Sequence, residues 1–208
     1  MSTFNEIDVE CVECAEEYKG IIWTAIHASE DPVLKDILFG GELNILVCPK
    51  CARPAYQDHS VLYQDPGIEL IAYIYPPSQS AEEAFLRKTT LASFHEAQNI
   101  YDPKDRKDYE PILVFGLATF VEMMEAEELR EEQSQVAEAI CKANHIPYFV
   151  LRPSEARRLT TARVCPGIKG DETSIVKGIR DLLAINPALN FYSKLAESLA
   201  VPATRLKP

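Results

Sequence analysis

Two Cys-x-x-Cys pairs constrain this chain more than any other feature. "CVEC" supplies Cys11 and Cys14, "CPKC" supplies Cys48 and Cys51, and 33 residues separate the two motifs. Two residues between cysteines let both sulfurs of a tight knuckle point at one centre, so two knuckles deliver four thiolates. That set closes the tetrahedral shell of a structural zinc site, one ion per chain. No position is left for an activated water, so a catalytic zinc is not expected. Each motif is entered from a strand-like run, "NEIDVEC" and "ELNILVC". The gap exceeds that of the simplest zinc ribbons, so the insert must carry structure of its own. A rubredoxin-like iron site and a pair of redox dithiols are the competing readings. Reactive dithiols sit at helix N-termini, where the dipole lowers the thiol pKa. Here both motifs end strands, and Glu10, Glu13, Glu16 and Glu17 stand close by. Negative neighbours raise a thiol pKa unless a cation is bound.

The remaining cysteines and the histidines do not extend the site. Cys141 lies on the apolar side of a helical segment and Cys165 precedes a proline in "RVCPGIKG"; both read as buried, inert thiols. His59 follows Cys51 by eight residues, but four cysteines already complete the shell, and His27, His95 and His145 lack ligand spacing. No apolar run approaches the roughly 18 residues that span a bilayer. The acidic start "MSTFNEIDVE" has no signal-peptide core, so a reducing, cytoplasmic setting is expected. The net charge of -11 is uneven. Residues 1–80 carry 13 acidic and 4 basic side chains, whereas 81–208 carry 19 and 17. So acidic a first half repels phosphate backbones, which argues against direct nucleic-acid binding there.

Between the knuckles the pattern predicts strand–helix–strand. "YKGIIWTAIHAS" reads as a strand, "DPVLKDILF" as a helix capped by Asp31 and stopped by Gly40-Gly41, and "ELNILV" as the returning strand. "SVLYQD" and "IELIAYIY" form a hairpin around Pro66-Gly67 that extends the sheet. "PPSQSAEEA" from Pro76 is the candidate domain boundary, giving a zinc domain over 1–77 and a second domain over 81–208. Ser80 and Glu83 fit a capping box for a helix to about Asn99. "ILVFGLATF" and "IPYFVLR", joined by a long helix over about 120–144, predict a βαβ unit with a parallel, right-handed pair. Two more helices follow, the second capped by Asn186 with Pro187 in its first turn. The fold class expected is α+β, with a β-rich four-cysteine domain and then an α/β domain.

Residues 1–80 resemble the CpXC domain family. The resemblance is carried by Cys11, Cys14, Cys48 and Cys51, by "EDPVLKDILFGGELN" between them and by "LYQDPGIELIAYI" after them. It implies a zinc-ribbon-like metal-binding module and no activity. Two departures stand out. Val12 takes the place of the proline in the first motif, and alanine (Ala15, Ala52) follows each knuckle where glycine is common. Neither removes a ligand.

In the second half, Glu122, Glu125, Glu127, Glu128, Glu131 and Glu132 read as a solvated helix face, with Phe120, Val121, Met124, Val136 and Ile140 as the packing stripe. Arg152, Arg157, Arg158, Arg163 and Lys169 are the basic cluster. With Gly167 and Gly170 before a helix, they are candidates for anion or partner binding. Otherwise the arginines answer the acidic helix or the acidic N-terminal half of the same protein. No P-loop, dinucleotide, G-x-S-x-G or H-E-x-x-H motif occurs. The function expected is therefore a zinc-stabilised module serving a protein partner, with Tyr63, Tyr73 and Tyr75 as candidate contact aromatics. A phosphate-ester hydrolase or nuclease in 81–208 is the enzymatic alternative.

Overall fold

The first hairpin pairs β1 (Thr3–Glu10) with β2 (Glu17–His27), antiparallel from Phe4 opposite Trp23 to Glu10 opposite Glu17. The register slips by one residue between Thr3 and Phe4. The computed structural model describes residues 1–200. Helix α1 (Pro32–Phe39) follows, then the short hairpin β3 (Ile45–Val47) and β4 (Pro54–Tyr56), and then β5 (Val61–Asp65) and β6 (Leu70–Tyr75). The strand–helix–strand insert and the Pro66-Gly67 hairpin are thus present. Asp65 fixes the turn by accepting the Gly67 amide at 3.1 Å.

After helix α2 (Glu83–Gln98) comes β7 (Ile112–Phe115), which completes a five-stranded sheet in the order β1-β2-β5-β6-β7. β2/β5 and β6/β7 are parallel, and the other pairs are antiparallel. This corrects the expected boundary near Pro76, because a strand from beyond it belongs to the first sheet. The edge of β6 needs a hydrogen-bonding partner, and β7 supplies it. The chain divides at Met1–Met123 and Met124–Pro208. Its dividing point falls within helix α3 (Leu117–Ala143).

A βαβ unit exists, but it is β6–α2–β7. The expected second strand is β8 (Tyr148–Val150), which pairs antiparallel with β9 (Val164–Pro166) in a sheet of two. In the first unit Ile22, Ile26, Leu38, Leu43, Tyr63, Leu70, Ile74 and Phe120 are buried. The second unit adds α4 (Pro153–Arg158), α5 (Glu172–Ile185) and α6 (Asn190–Ala200). Its core gathers Ala137, Cys141, Val164, Ile179, Leu182 and Tyr192. The Tyr192 hydroxyl donates to the Val164 carbonyl at 2.6 Å.

Three expected caps differ. Asp31 stands at the N-cap of α1 but accepts the Ser2 amide instead. A 3-10 turn over Pro77–Glu82 precedes α2, whose N-cap is Glu82, so Ser80 and Glu83 form no capping box. Asn186 ends α5 and accepts the Ala188 amide, and the last helix begins four residues later. At Asp31 and Asn186 a backbone amide outside the helix takes the oxygen that the cap would have used, and the Glu83 carboxylate binds Arg87 instead.

Candidate metal centre

Both C-x-x-C motifs occupy the tips of hairpins built alike. Glu10 faces Glu17 across the first, Val47 faces Pro54 across the second, and a six-residue loop joins each pair. Inside each loop the same bonds recur. The Cys11 amide donates to the Glu16 carbonyl, and the Ala15 amide donates back to the Cys11 carbonyl, both at 2.9 Å. The Cys48 amide donates to Arg53, and the Ala52 amide to Cys48, again at 2.9 Å. Closing so tight a turn requires left-handed backbone after the second cysteine. Ala15 and Ala52 adopt it, at φ 52° and 58°, where glycine would be less strained.

The loops bring four sulfurs together. Sγ of Cys11 and Cys51 stand 3.6 Å apart, and those of Cys14 and Cys48 3.7 Å. All four lie within 4.8 Å of one another. A tetrahedron with metal–sulfur bonds of about 2.3 Å has edges of about 3.8 Å, whereas a disulfide would need about 2 Å. The cluster therefore has the dimensions of a metal site, and all six cysteines are free thiols. Cys11 and Cys48 are buried, Cys14 is half-buried and Cys51 is exposed.

Electrostatics agree with geometry. The Cys11 thiol falls to about 7 because the Glu13 and Cys14 amides point at its sulfur. At Cys14 the Glu16 amide pulls the same way, but burial and the three neighbouring thiols prevail, and its pKa rises to about 12. Cys51 is also raised: the Arg53 amide and the Cys14 thiol favour its thiolate, while burial and the Cys11 and Cys48 thiols oppose it. Four sulfurs at this spacing cannot all ionise without a cation among them, so the donor set fits a thiophilic metal ion. Each knuckle also supplies a counter-charge to the other. Lys50 binds Glu16 at 2.9 Å and Arg53 binds Glu13 at 3.5 Å. The acidic company noted in the sequence is thus partly answered across the site.

Two contacts seat the second hairpin on β2. Gly20 leaves room for Leu46, since a Cβ there would stand 2.2 Å from Leu46 Cδ1. Asn44, buried and at φ 59°, accepts the Trp23 amide at 2.7 Å and donates to the Trp23 carbonyl at 3.1 Å. Neither Gly20 nor Asn44 is among the residues expected at the site. A glycine inside the strand "YKGIIWTAIH" is a sign of close approach; Asn44 carries no comparable sign.

The other candidates are placed differently. Arg157 is bound to Glu127, with Nε at 2.7 Å and Nη2 at 3.3 Å. Arg163 binds Glu131 at 3.0 Å, and Arg152 donates its amide to Glu155. The guanidinium groups of Arg157 and Arg163 therefore answer carboxylates of α3, while Arg158 and Lys169 lie exposed. Glu127 is no part of a solvated face: its side chain is 9 % exposed and also binds Arg130. The buried stripe of α3 runs Phe120, Met124, Arg130, Ser134, Ala137 and Cys141. Val136, expected on it, is exposed. Tyr63 is fully buried against Phe120, and the Tyr75 hydroxyl shares a hydrogen bond with Thr90 at 2.8 Å. Tyr73 is half-buried and stacks on Tyr75. These tyrosines pack the sheet.

Among the described residues, no helix is long and apolar enough to cross a membrane. A family model described as CpXC protein matches residues 9–131. The match extends well beyond the first 80 residues, through β7 and into α3. No curated protein and no solved structure matches the chain.

Proposed function

Because this chain belongs to the CpXC protein family and gathers four thiols at two hairpin tips, we propose that its first unit is a zinc module. The metal serves the fold, and the folded surface serves a protein partner. The carrying observation is the closed set of four sulfurs at tetrahedral spacing. Such a shell holds an ion without offering it to substrate. Zinc suits it because a d10 ion accepts four thiolates and undergoes no redox change. When bound, the ion supplies a cross-link between the tips of the two hairpins. In zinc-finger peptides such binding amounts to about 10–16 kcal/mol, which becomes folding free energy. Six free thiols suit a reducing compartment such as the cytoplasm. An acidic surface and arginines engaged by carboxylates favour a protein partner over a phosphate ester.

Elemental analysis of freshly purified protein, with a thiol count under denaturing and chelating conditions, tests the metal. One zinc and six thiols per chain is the expected result. Iron would replace the metal assignment, and no metal with only two thiols would make both motifs redox pairs. Cys48→Ser should unfold the first unit. A full near-UV signal in that variant would overturn the structural role.

A further inference from the structure

We infer that the open edge of β1 takes up an extended, basic segment of a partner protein as an added strand. This inference rests on the protein-partner reading above and names where and what that partner is. β1 stands at the end of the strand order and, among the described residues, pairs only with β2. It is eight residues long. Its register is unbroken from Phe4 to Glu10, so its outer amides and carbonyls form a regular template for strand addition.

The charge on this edge selects the occupant. Alternate residues share a face, which places Phe4, Glu6, Asp8 and Glu10 together, all exposed. Opposite them on β2 are Trp23, Ile21, Lys19 and Glu17. Among the described residues of this hairpin, Lys19, bound to Glu6, is the one cation on the face of these four carboxylates. Glu10 and Glu17 oppose each other directly, a like-charge pair that disfavours the hairpin unless a cation comes between them. A second copy of the chain does not fit. Antiparallel β1–β1 pairing would set Glu6, Asp8 and Glu10 against their own counterparts. Nucleic acid is excluded by the same sign. What fits is a strand with lysine or arginine at alternate positions, facing Glu6, Asp8 and Glu10. An apolar residue beyond them would meet Phe4, which is 54 % exposed. β1 runs directly into Cys11, so the edge is ordered by the same site that holds the metal.

The test uses the zinc-loaded full chain and an eight-residue peptide of alternating lysine and valine, followed by amide NMR. Shifts and slowed amide exchange confined to residues 3–10 are expected. An N-methylated version of the peptide keeps the charges but cannot pair as a strand, and should not bind. The combined Glu6→Lys, Asp8→Lys, Glu10→Lys variant should bind the lysine peptide at least about tenfold more weakly, from three surface ion pairs. That variant should instead take up the glutamate–valine counterpart. No binding at 1 mM peptide, shifts elsewhere, or equal binding of the N-methylated peptide would overturn the inference. Failure of the underlying module reading shows separately, as absent metal or an intact Cys48→Ser fold before any peptide is added.

Discussion

The side-chain amide of Asn44 takes both backbone groups of Trp23, accepting its N–H at 2.7 Å and donating to its carbonyl at 3.1 Å. A side chain thus pairs with β2 as a strand would, just before Ala25–His27, where β5 takes over. Asn44→Ala removes both bonds, leaves the half-buried backbone groups of Trp23 unpaired and places alanine at a positive φ. The expected cost is about 2–3 kcal/mol. Trp23 is the single tryptophan, so its fluorescence during urea unfolding reads this directly. Asn44→Gly keeps the backbone and loses the bonds, and should fall between Asn44→Ala and the parent.

Gly20 and Leu46 make the second attachment. A Cβ at Gly20 would meet only the far end of the Leu46 side chain. Gly20→Ala should therefore cost about 1–3 kcal/mol through overpacking. The same change made on a Leu46→Ala background should cost under about 0.5 kcal/mol. A double-mutant cycle in denaturant measures the difference. Additive effects would mean that the two hairpins do not meet here.

Much of the centre was legible because its signal is local. Two C-x-x-C motifs at strand ends required neither packing nor topology to be recognised, and alanine in place of glycine marked a strained turn. What escaped depends on partners distant in sequence. "ILVFGLATF" reads as a buried strand from its own residues, but nothing within it says that β6 rather than β8 lies alongside. Glu127 looks like its neighbours until Arg130 and Arg157 are brought to it. The acidic first half hid two cross-knuckle ion pairs for the same reason: Lys50 and Arg53 are near Glu16 and Glu13 only after folding.

Ala15 and Ala52 hold left-handed backbone that glycine adopts freely. Ala15→Gly and Ala52→Gly should each stabilise the metal-loaded chain by about 0.5 kcal/mol. That figure is the relief of positive-φ strain less the greater freedom of glycine when unfolded. The gain should appear in chemical denaturation of the zinc form and add in the double variant. Loss of stability in either would mean that the alanine methyl makes a contact worth more than the strain.

Metal binding should expel protons. Cys14, pushed up to about 12, and Cys51, also raised, are protonated at pH 7 in the metal-free chain, and each must deprotonate to become a ligand. Apparent affinity should therefore fall as pH falls, by about tenfold per unit for each proton released. Calorimetric titration of zinc in buffers of different ionisation enthalpy counts those protons. A heat independent of buffer would show thiolates already formed, against the electrostatics of the site.

In the second unit, Glu127 holds two guanidinium groups. Arg157 Nε reaches it at 2.7 Å, and Arg130 binds it from one turn along α3. Arg130 also donates to the Thr161 carbonyl at 2.8 Å and lies over the Phe191 ring at 5.1 Å. One carboxylate therefore anchors α3 to α4 and, through Arg130, to the loop after α4 and the start of α6. Glu127→Gln leaves two largely buried cations without their counter-charge and should cost about 3 kcal/mol or more. Glu122→Gln and Glu125→Gln, on the exposed face of the same helix, should change stability by under about 0.5 kcal/mol. Helical dichroism through a urea titration separates the cases. Equal effects at all three positions would return Glu127 to the solvated face that the sequence suggested.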